Sequence, residues 1–207
     1  GHHEHVRTAG TRSKFGISAY ELDDLVSAAQ RANAKIVGLH AHSGSGIRNA
    51  DNWTQVGLFL GSIAEKIPTV QHIDVGGGLG VVERVGDAAL NTRLLGTALG
   101  KVKETYPHLE IWLEPGRYLV AESGVLLTSV TQLKRKGEVR YVGVNAGMNA
   151  LIRPALYGAW HNIVNLSKID KPTNIVANVV GPICETGDTL GRRRKLPDTE
   201  EGDLILI

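Results

Sequence analysis

Helical stripes and short apolar runs alternate along the first part of the chain, and this alternation constrains the fold more than any other feature. Each stripe has apolar residues three and four positions apart, as in an amphipathic helix, and an apolar run of strand length follows it. Repeated α-then-β units predict an α/β fold with a parallel sheet. The three predicted helix and strand pairs are 20–33 with 36–39, 49–67 with 70–75, and 90–106 with 110–114.

The pattern changes after about Ser123, where β-rich runs follow one another without long helical stripes between them. Such a change from alternating elements to successive strands indicates a separate all-β domain. We therefore predict two domains, an α/β domain over residues 1–123 and a β-rich domain over residues 124–207. The predicted strands of the second domain are 125–133, 139–144, 175–180 and 204–207.

Composition excludes several classes of protein. The chain is 42% hydrophobic and 21% charged, as in globular proteins, and no run approaches the roughly 18 to 20 apolar residues that cross a bilayer. The net charge is only +2, and the one dense basic run, 192–195, has no interleaved aromatic residues. The single cysteine, Cys184, fits a reducing compartment. We expect a cytoplasmic protein with neither nucleic-acid nor membrane partners.

Polar residues follow the predicted strands of the first domain, at the strand ends where α/β folds place their sites. One of these segments is the glycine loop, 76–80. Without Cβ atoms its backbone N–H groups can approach an anion, so it is a candidate phosphate cradle. A purely structural tight turn is the alternative, because the loop matches neither the dinucleotide fingerprint nor the P-loop.

Two histidines, His40 and His42, lie on the same face of a predicted strand end. They are either metal ligands or imidazoles held by hydrogen bonds in the mouth of a barrel. A metal-dependent hydrolase would need three converging ligands, and neither an HExxH motif nor paired cysteines support it. The other histidines that such a site could recruit are His2, His3 and His5, which could also be the remnant of a tag.

Three further pairs of residues carry chemistry. Glu114 and Arg117 place a carboxylate at a strand end and a guanidinium beyond a rigid turn, in either a plain salt-bridged turn or a ligand site. A carboxylate there could hold a heteroaromatic nitrogen protonated, and an arginine suits a substrate carboxylate. The second pair is the guanidinium of Arg153 with the phenol of Tyr157, and the third is the thiol of Cys184 with the acid of Glu185. Each of these two pairs alone is unspecific.

Taken in order, six motifs make the chain resemble the pyridoxal-phosphate-dependent decarboxylases built on an alanine-racemase-like barrel, and most closely their diaminopimelate branch. The resemblance covers essentially the whole chain. It implies an α/β fold in which part of a cofactor-binding (β/α)8 TIM barrel is followed by an all-β C-terminal domain. The motifs are His3 with 13–17, 42–46, 74–80, 114–117, 153–158 and 181–188.

The resemblance also implies pyridoxal 5'-phosphate as the cofactor. His42 would stack on the cofactor ring, and Glu114 would pair with the ring nitrogen. A protonated ring nitrogen makes the cofactor an electron sink for the charge that loss of CO₂ leaves on Cα. The residues that the resemblance assigns to cofactor binding are His42, Ser45, Gly76, Gly77, Gly78, Gly80, Glu114, Pro115, Gly116 and Arg117.

In this family a cysteine in the position of Cys184 reprotonates Cα and reaches the active site of the neighbouring subunit. The resemblance therefore implies a homodimer with composite sites, whereas a buried apolar role is the alternative for this thiol. The expected reaction is decarboxylation of meso-2,6-diaminopimelate at its D-centre to L-lysine, without a metal. The implied catalytic residues are Cys184, Glu114 and His42, and those that would grip the amino-acid substrate are Arg117, Arg153, Tyr157 and Glu185.

Two other functions remain open within this fold. Ornithine and arginine decarboxylases share the barrel and the glycine loop, but their substrates lack a second carboxylate. A noncatalytic relative that keeps the barrel as a binding module tends to lose cofactor-site residues, and this chain retains them. We rank both behind the diaminopimelate branch.

One departure from the family concerns the lysine that binds the cofactor covalently. Its Tyr-Ala-x-Lys motif is absent, and so is the C-terminal segment that completes the phosphate site. We therefore expect the sequence to be part of a longer protein. A barrel without its first strands leaves unpaired edges, so we expect residues 1–207 alone to fold poorly or associate, and not to be active.

Overall fold

The computed structural model describes residues 13–207, which form two compact units. The first unit contains the described residues up to Val82 together with Ala88–Ala121, and the second contains Glu83–Asp87 and Glu122–Ile207. No helix in the described part of the chain is both long enough and apolar enough to span a membrane.

The first unit alternates helices and strands, as the periodicity predicts. The three parallel strands lie in the order β1-β2-β3, with Gly38 opposite His72 and His72 opposite Glu110. This confirms the predicted α/β class with a parallel sheet. The elements are a 3₁₀ turn Ala19–Glu21, α1 Leu22–Arg31, β1 Gly38–His40, α2 Asp51–Ala64, β2 His72–Gly77, α3 Thr92–Thr105, β3 Glu110–Glu114 and the short α4 Gly116–Val120.

The core of the first unit lies between the sheet and helices α2 and α3. Trp53 of α2 and Ile73 of β2 are completely buried there. Two glycines in α2 let its neighbours approach, since a Cβ on Gly57 would lie 2.8 Å from Val102 and one on Gly61 would overlap the Tyr106 ring. This close packing fixes the sheet from which the polar strand ends project.

The second unit is built around one six-stranded sheet in the order β6-β9-β4-β5-β7-β8. Its neighbouring strands are antiparallel except β5 and β7, and its core includes Val142, Val179 and Leu190. The all-β character expected after the first part of the chain is confirmed. The elements are β4 Leu127–Lys136, β5 Val139–Val144, the short α5 Arg153–Tyr157, β6 Val164–Asn165, a 3₁₀ turn Leu166–Lys168, β7 Ile175–Val180, β8 Thr189–Leu196 and β9 Leu204–Leu206.

Strand β8 contains the basic run, and this run does have an aromatic neighbour in the structure. Arg194 is only 5% exposed, and its guanidinium carbon lies 3.2 Å from the centre of the Trp160 ring. Burial, together with the charge of Arg84, lowers the pKa of Arg194 to about 10. The aromatic partner is 34 positions away in the sequence, so inspection of the run itself could not find it.

A buried polar network ties β9 to β6. The Asn165 amide, 1% exposed, donates to the Asp203 carboxylate at 2.8 Å, and the Lys168 ammonium lies 3.3 Å from the same group. Burial by itself would raise the pKa of Asp203, but hydrogen bonds from the Glu200 N–H, Asn165 and Lys168 hold the pKa below its usual value of 3.8.

Replacing Asp203 should destabilise the protein in a pH-dependent manner. Asp203→Ala leaves the buried Asn165 amide without this acceptor, which costs about 1–3 kcal/mol. Because the folded pKa is depressed, the carboxylate stabilises the folded state above pH 3.8, and this contribution is lost as the pH falls through the folded pKa. Urea unfolding of the full-length protein checks this: the difference between wild type and Asp203→Ala should shrink in acid. A difference independent of pH would contradict it.

Candidate active site

Three neighbouring strand ends bring polar groups together in the first unit. β1 ends at His40, β2 ends at Gly77 and β3 ends at Glu114. In the parallel register His40 is opposite Asp74, and Gly77 is opposite Glu114. Since the carboxyl ends of parallel strands meet at one edge of the sheet, these groups share one surface.

The glycine loop at the end of β2 is packed directly against the neighbouring strand ends. A Cβ on Gly77 would overlap the carbonyl oxygen of Glu114, and one on Gly78 would overlap that of Gly44. Gly76 and Gly78 also have φ of +71° and +79°, which side-chain-bearing residues rarely adopt. Only glycine therefore fits both the space and the backbone conformation at Gly78. Gly80 continues the contact, donating its N–H to Ile47 O at 2.8 Å.

His42 is held by this loop. Its Nδ1 accepts a hydrogen bond from the Gly77 N–H at 3.2 Å. An accepting Nδ1 leaves Nε2 as the protonated nitrogen of the neutral ring. The loop therefore fixes both the orientation and the tautomer of the imidazole.

Glu114 pairs with a histidine that the site prediction omits. His40 Nε2 lies 2.9 Å from Glu114 Oε2, and the two side chains are 51% and 53% exposed. The carboxylate is thus positioned by an imidazole and is still accessible to a ligand. Of the two alternatives for His40, the hydrogen-bonded imidazole is the one that this geometry shows.

Arg117 joins the β3 turn to the segment after β1. Its Nη2 donates to Ser45 Oγ at 3.3 Å. Pro115 and Gly116 lie between Glu114 and Arg117, and Pro115 directly precedes α4. The strand end and this short helix therefore place a carboxylate and a guanidinium beside the glycine loop.

The two histidines do not converge on one point, as the metal-site hypothesis requires. His40 groups with Asp74 and Glu114, whose candidate ligand atoms lie within 4.8 Å of one another, whereas His42 bonds to the glycine loop. These three side chains could hold a metal ion, but exposed acidic groups are common without one. His2, His3 and His5 lie outside the described residues.

In the second unit, Arg153 opens α5 and is held by two side chains. Its Nη2 donates to Glu83 Oε1 at 3.1 Å, and its Nη1 lies 3.1 Å from His161 Nε2. A guanidinium has five N–H donors, so these bonds orient Arg153 and leave donors for a ligand. Tyr157 ends the same helix, and Gly158 follows it in the left-handed conformation with φ of +61°.

Cys184 and Glu185 lie on the loop that joins β7 to β8. Cys184 is exposed, so the alternative of a buried apolar residue is wrong within this chain. Glu185 accepts a hydrogen bond from the Gly187 N–H at 2.9 Å, which bends the loop back on itself. The loop presents the thiol and the acid side by side.

The predicted residues lie in both units. His42, Ser45, the glycine loop and Glu114–Arg117 come together at the strand ends of the first unit. Arg153 with Tyr157 and Cys184 with Glu185 lie on two separate segments of the second unit. Sequence reasoning missed four residues that hold these residues in place. They are His40, Glu83, His161 and Asp188, none of which was assigned a role in the site. His40 was weighed beside His42 and Asp188 ends the motif 181–188, whereas Glu83 and His161 had no signal in the sequence.

The model of the family described as pyridoxal-dependent decarboxylase, C-terminal sheet domain, matches residues 17–207. The diaminopimelate decarboxylase of Neisseria meningitidis is 38% identical over 213 residues, which cover 99% of this chain and 50% of that protein. The crystal structure of diaminopimelate decarboxylase from Helicobacter pylori complexed with L-lysine has a TM-score of 0.88 and 31% sequence identity to this chain. The alignment covers 99% of this chain and 52% of that one.

A further solved structure, SrLDC in complex with PLP and cadaverine, has a TM-score of 0.82 and 26% identity, and the alignment covers 97% of this chain and 53% of that one. The chain spans about half the length of the curated relatives it matches. Because the family model matches almost the whole length of the chain, the chain belongs to the pyridoxal-dependent decarboxylases.

Proposed function

We propose that the protein decarboxylates meso-2,6-diaminopimelate at its D-centre, giving L-lysine and CO₂ with pyridoxal 5'-phosphate. The observation that carries the proposal is the grouping of the Glu114 carboxylate, the glycine loop and Arg117 at adjoining strand ends. Relatives named diaminopimelate decarboxylase, 34% to 38% identical over nearly all of this chain, support the same substrate. The division into a barrel domain over 1–123 and a sheet domain over 124–207 belongs to this proposal.

Residues of the first unit fit the cofactor. The loop glycines let the end of β2 pack tightly against the neighbouring strand ends, and a backbone without side chains there is what a phosphate cradle would use. Ser45 and Arg117 add polar donors, His42 offers a ring of fixed orientation, and Glu114 an accessible carboxylate. When bound, pyridoxal phosphate supplies an electron sink for the pair of electrons released with CO₂. Gly76, Gly77, Gly78, Gly80, Pro115 and Gly116 would shape this site.

Residues of the second unit are suited to bind the substrate and to supply a proton to Cα. Arg153 is oriented by Glu83 and His161 and suits the distal carboxylate of the substrate, while Tyr157 adds a hydroxyl. In the first unit, Arg117 likewise suits a substrate carboxylate. Glu185 would accept the distal ammonium. The exposed Cys184 Sγ would carry the proton that Cα receives after CO₂ leaves. We further propose that the protein is a cytoplasmic homodimer in which Cys184 serves the neighbouring subunit's site.

The glycine loop should be required for cofactor affinity. In Gly78→Ala the new Cβ would overlap the Gly44 carbonyl, so the loop must move away from its neighbours. We expect this displacement to weaken cofactor binding about tenfold or more, which is about 1.4 kcal/mol. Visible absorbance during titration of the full-length protein with pyridoxal phosphate measures this. Gly86→Ala is the matched control, because Gly86 has φ of +91° but open space at its Cβ position. Equal affinity in both variants would argue against the cradle.

The activity itself can be tested by the stereochemistry of the substrate. Full-length protein loaded with pyridoxal phosphate should release CO₂ and L-lysine from meso-diaminopimelate, and it should leave the LL-isomer, which has no D-centre, untouched. Turnover of both isomers would overturn the assignment of the D-centre. A bound cofactor without turnover of either would favour a noncatalytic binding protein.

A further inference from the structure

Asp188 joins two loops of the second unit through backbone hydrogen bonds. Asp188 is only 3% exposed. One carboxylate oxygen, Oδ1, accepts the Met148 N–H at 2.6 Å, and the other, Oδ2, accepts the Ile183 N–H at 2.8 Å. Met148 is 40 positions away in the sequence, so the carboxylate connects segments that the chain itself does not.

Glycines on both loops make room for this carboxylate. A Cβ on Gly147 would lie 2.7 Å and 2.8 Å from its two oxygens, and one on Gly181 would overlap Oδ2 and lie 2.5 Å from the Gly147 Cα. Side chains at either position would push the carboxylate out of reach of the N–H groups. The sequence thus provides an acid and two glycines that fit together.

The Asp188 side chain is held by backbone donors. No described Lys, Arg or His forms an ion pair with it, and its two carboxylate oxygens accept N–H groups from two different segments. The carboxylate therefore links these two loops directly.

These two loops lead to the residues that the proposed reaction needs in the second unit. Ile183 directly precedes Cys184 and Glu185, and Met148 lies five positions before Arg153. We propose that Asp188 is a positioning residue that holds the thiol and acid of one loop in register with the guanidinium of the other. The inference rests on the proposed function, because it gives these side chains their roles.

Only an aspartate satisfies both contacts. Asparagine has the same size, but its amide offers one acceptor and turns an NH₂ group toward the second N–H donor. Glutamate is one methylene longer and would not fit between Gly147 and Gly181. Asp188→Asn is therefore the informative variant, and Asp170→Asn, an exposed acid of the same unit, is its control for loss of one charge.

The first readout needs no variant. In the full-length holoprotein, peptides containing the Met148 and Ile183 amides should exchange hydrogen as slowly as β7, the strand before the Cys184 loop. Exchange as fast as at the exposed loop ends would overturn the proposal. In Asp188→Asn, exchange at these two positions should rise about tenfold or more while β7 stays unchanged.

The second readout is alkylation of Cys184 with iodoacetamide, followed by peptide mass spectrometry of the full-length protein. A loop released by Asp188→Asn should change the alkylation rate about tenfold, whereas Asp170→Asn should match wild type. This measurement does not depend on decarboxylation. If wild type fails to turn over meso-diaminopimelate, the proposed function fails, and the exchange and alkylation results still decide whether Asp188 positions the loop.

The third readout is the kinetics. Misplacing a catalytic group by about an ångström costs up to 100-fold, so kcat of Asp188→Asn should fall about 10- to 100-fold with KM and cofactor affinity within about twofold. A purely structural role would instead lower the fraction of folded protein without changing kcat per folded site. Wild-type kcat in Asp188→Asn, or a fall in kcat without faster exchange at Met148 and Ile183, would overturn the positioning role.

Discussion

Replacing Cys184 with alanine should lower kcat about 10²- to 10⁴-fold, the usual contribution of a positioned general acid or base. The thiol is exposed on the loop between β7 and β8 and is the single cysteine of the sequence, so its removal disturbs no core. Because Cys184 would act after substrate binds, KM and cofactor affinity should stay within about twofold of wild type.

The control for this variant is Thr186→Ala, an exposed residue two positions further along the same loop. Steady-state release of CO₂ and lysine from full-length protein measures both variants. If Cys184→Ala retained wild-type kcat, or if Thr186→Ala lost as much activity, the thiol would not be the proton donor.

Replacing Glu114 with glutamine should be nearly as damaging, with a fall in kcat of about 10²- to 10³-fold. The carboxylate is the group that would keep the ring nitrogen of the cofactor protonated, and a neutral amide of the same shape cannot do so. His40 should still donate to the amide oxygen, so the local structure should remain. The loss should therefore affect kcat far more than cofactor affinity.

Glu110→Gln is a close control, because Glu110 is an exposed acid at the other end of the same strand, β3. The visible spectrum of the bound cofactor gives a second readout, since protonation of the ring nitrogen alters it. Unchanged kcat in Glu114→Gln, or an equal loss in Glu110→Gln, would mean that the Glu114 charge is not used.

The fold was predictable wherever local pattern and tertiary burial agree. Strands β3, β5 and β7 lie at the predicted positions, because their apolar side chains lie in or pack against the cores of the two units. Strand β8 escaped prediction because its basic run looks like a solvated surface. That part of this run faces inward is seen only in the structure, where Arg194 is buried against Trp160. The short helices α4 and α5 are too brief for a periodic signal.

The roles of the principal site residues stay predictions, and the contacts that hold these residues could not be predicted from the sequence. Motif order assigned roles to Glu114, Arg153 and Cys184. Their supporting partners are far away in sequence: His40 is 74 positions from Glu114, and Glu83 is 70 positions from Arg153. Such contacts follow from sheet register and loop packing, which no single segment of sequence encodes.

The central proposal is that the protein acts on meso-diaminopimelate rather than on an amino acid without a second carboxylate. Parallel measurement of kcat/KM for meso-diaminopimelate, L-ornithine and L-arginine with the full-length holoprotein tests it most directly. A site that binds a second carboxylate should reject substrates without one by about 10⁴-fold, so only meso-diaminopimelate should turn over appreciably. Comparable kcat/KM for ornithine or arginine would contradict the claim and assign the protein to the sister branch.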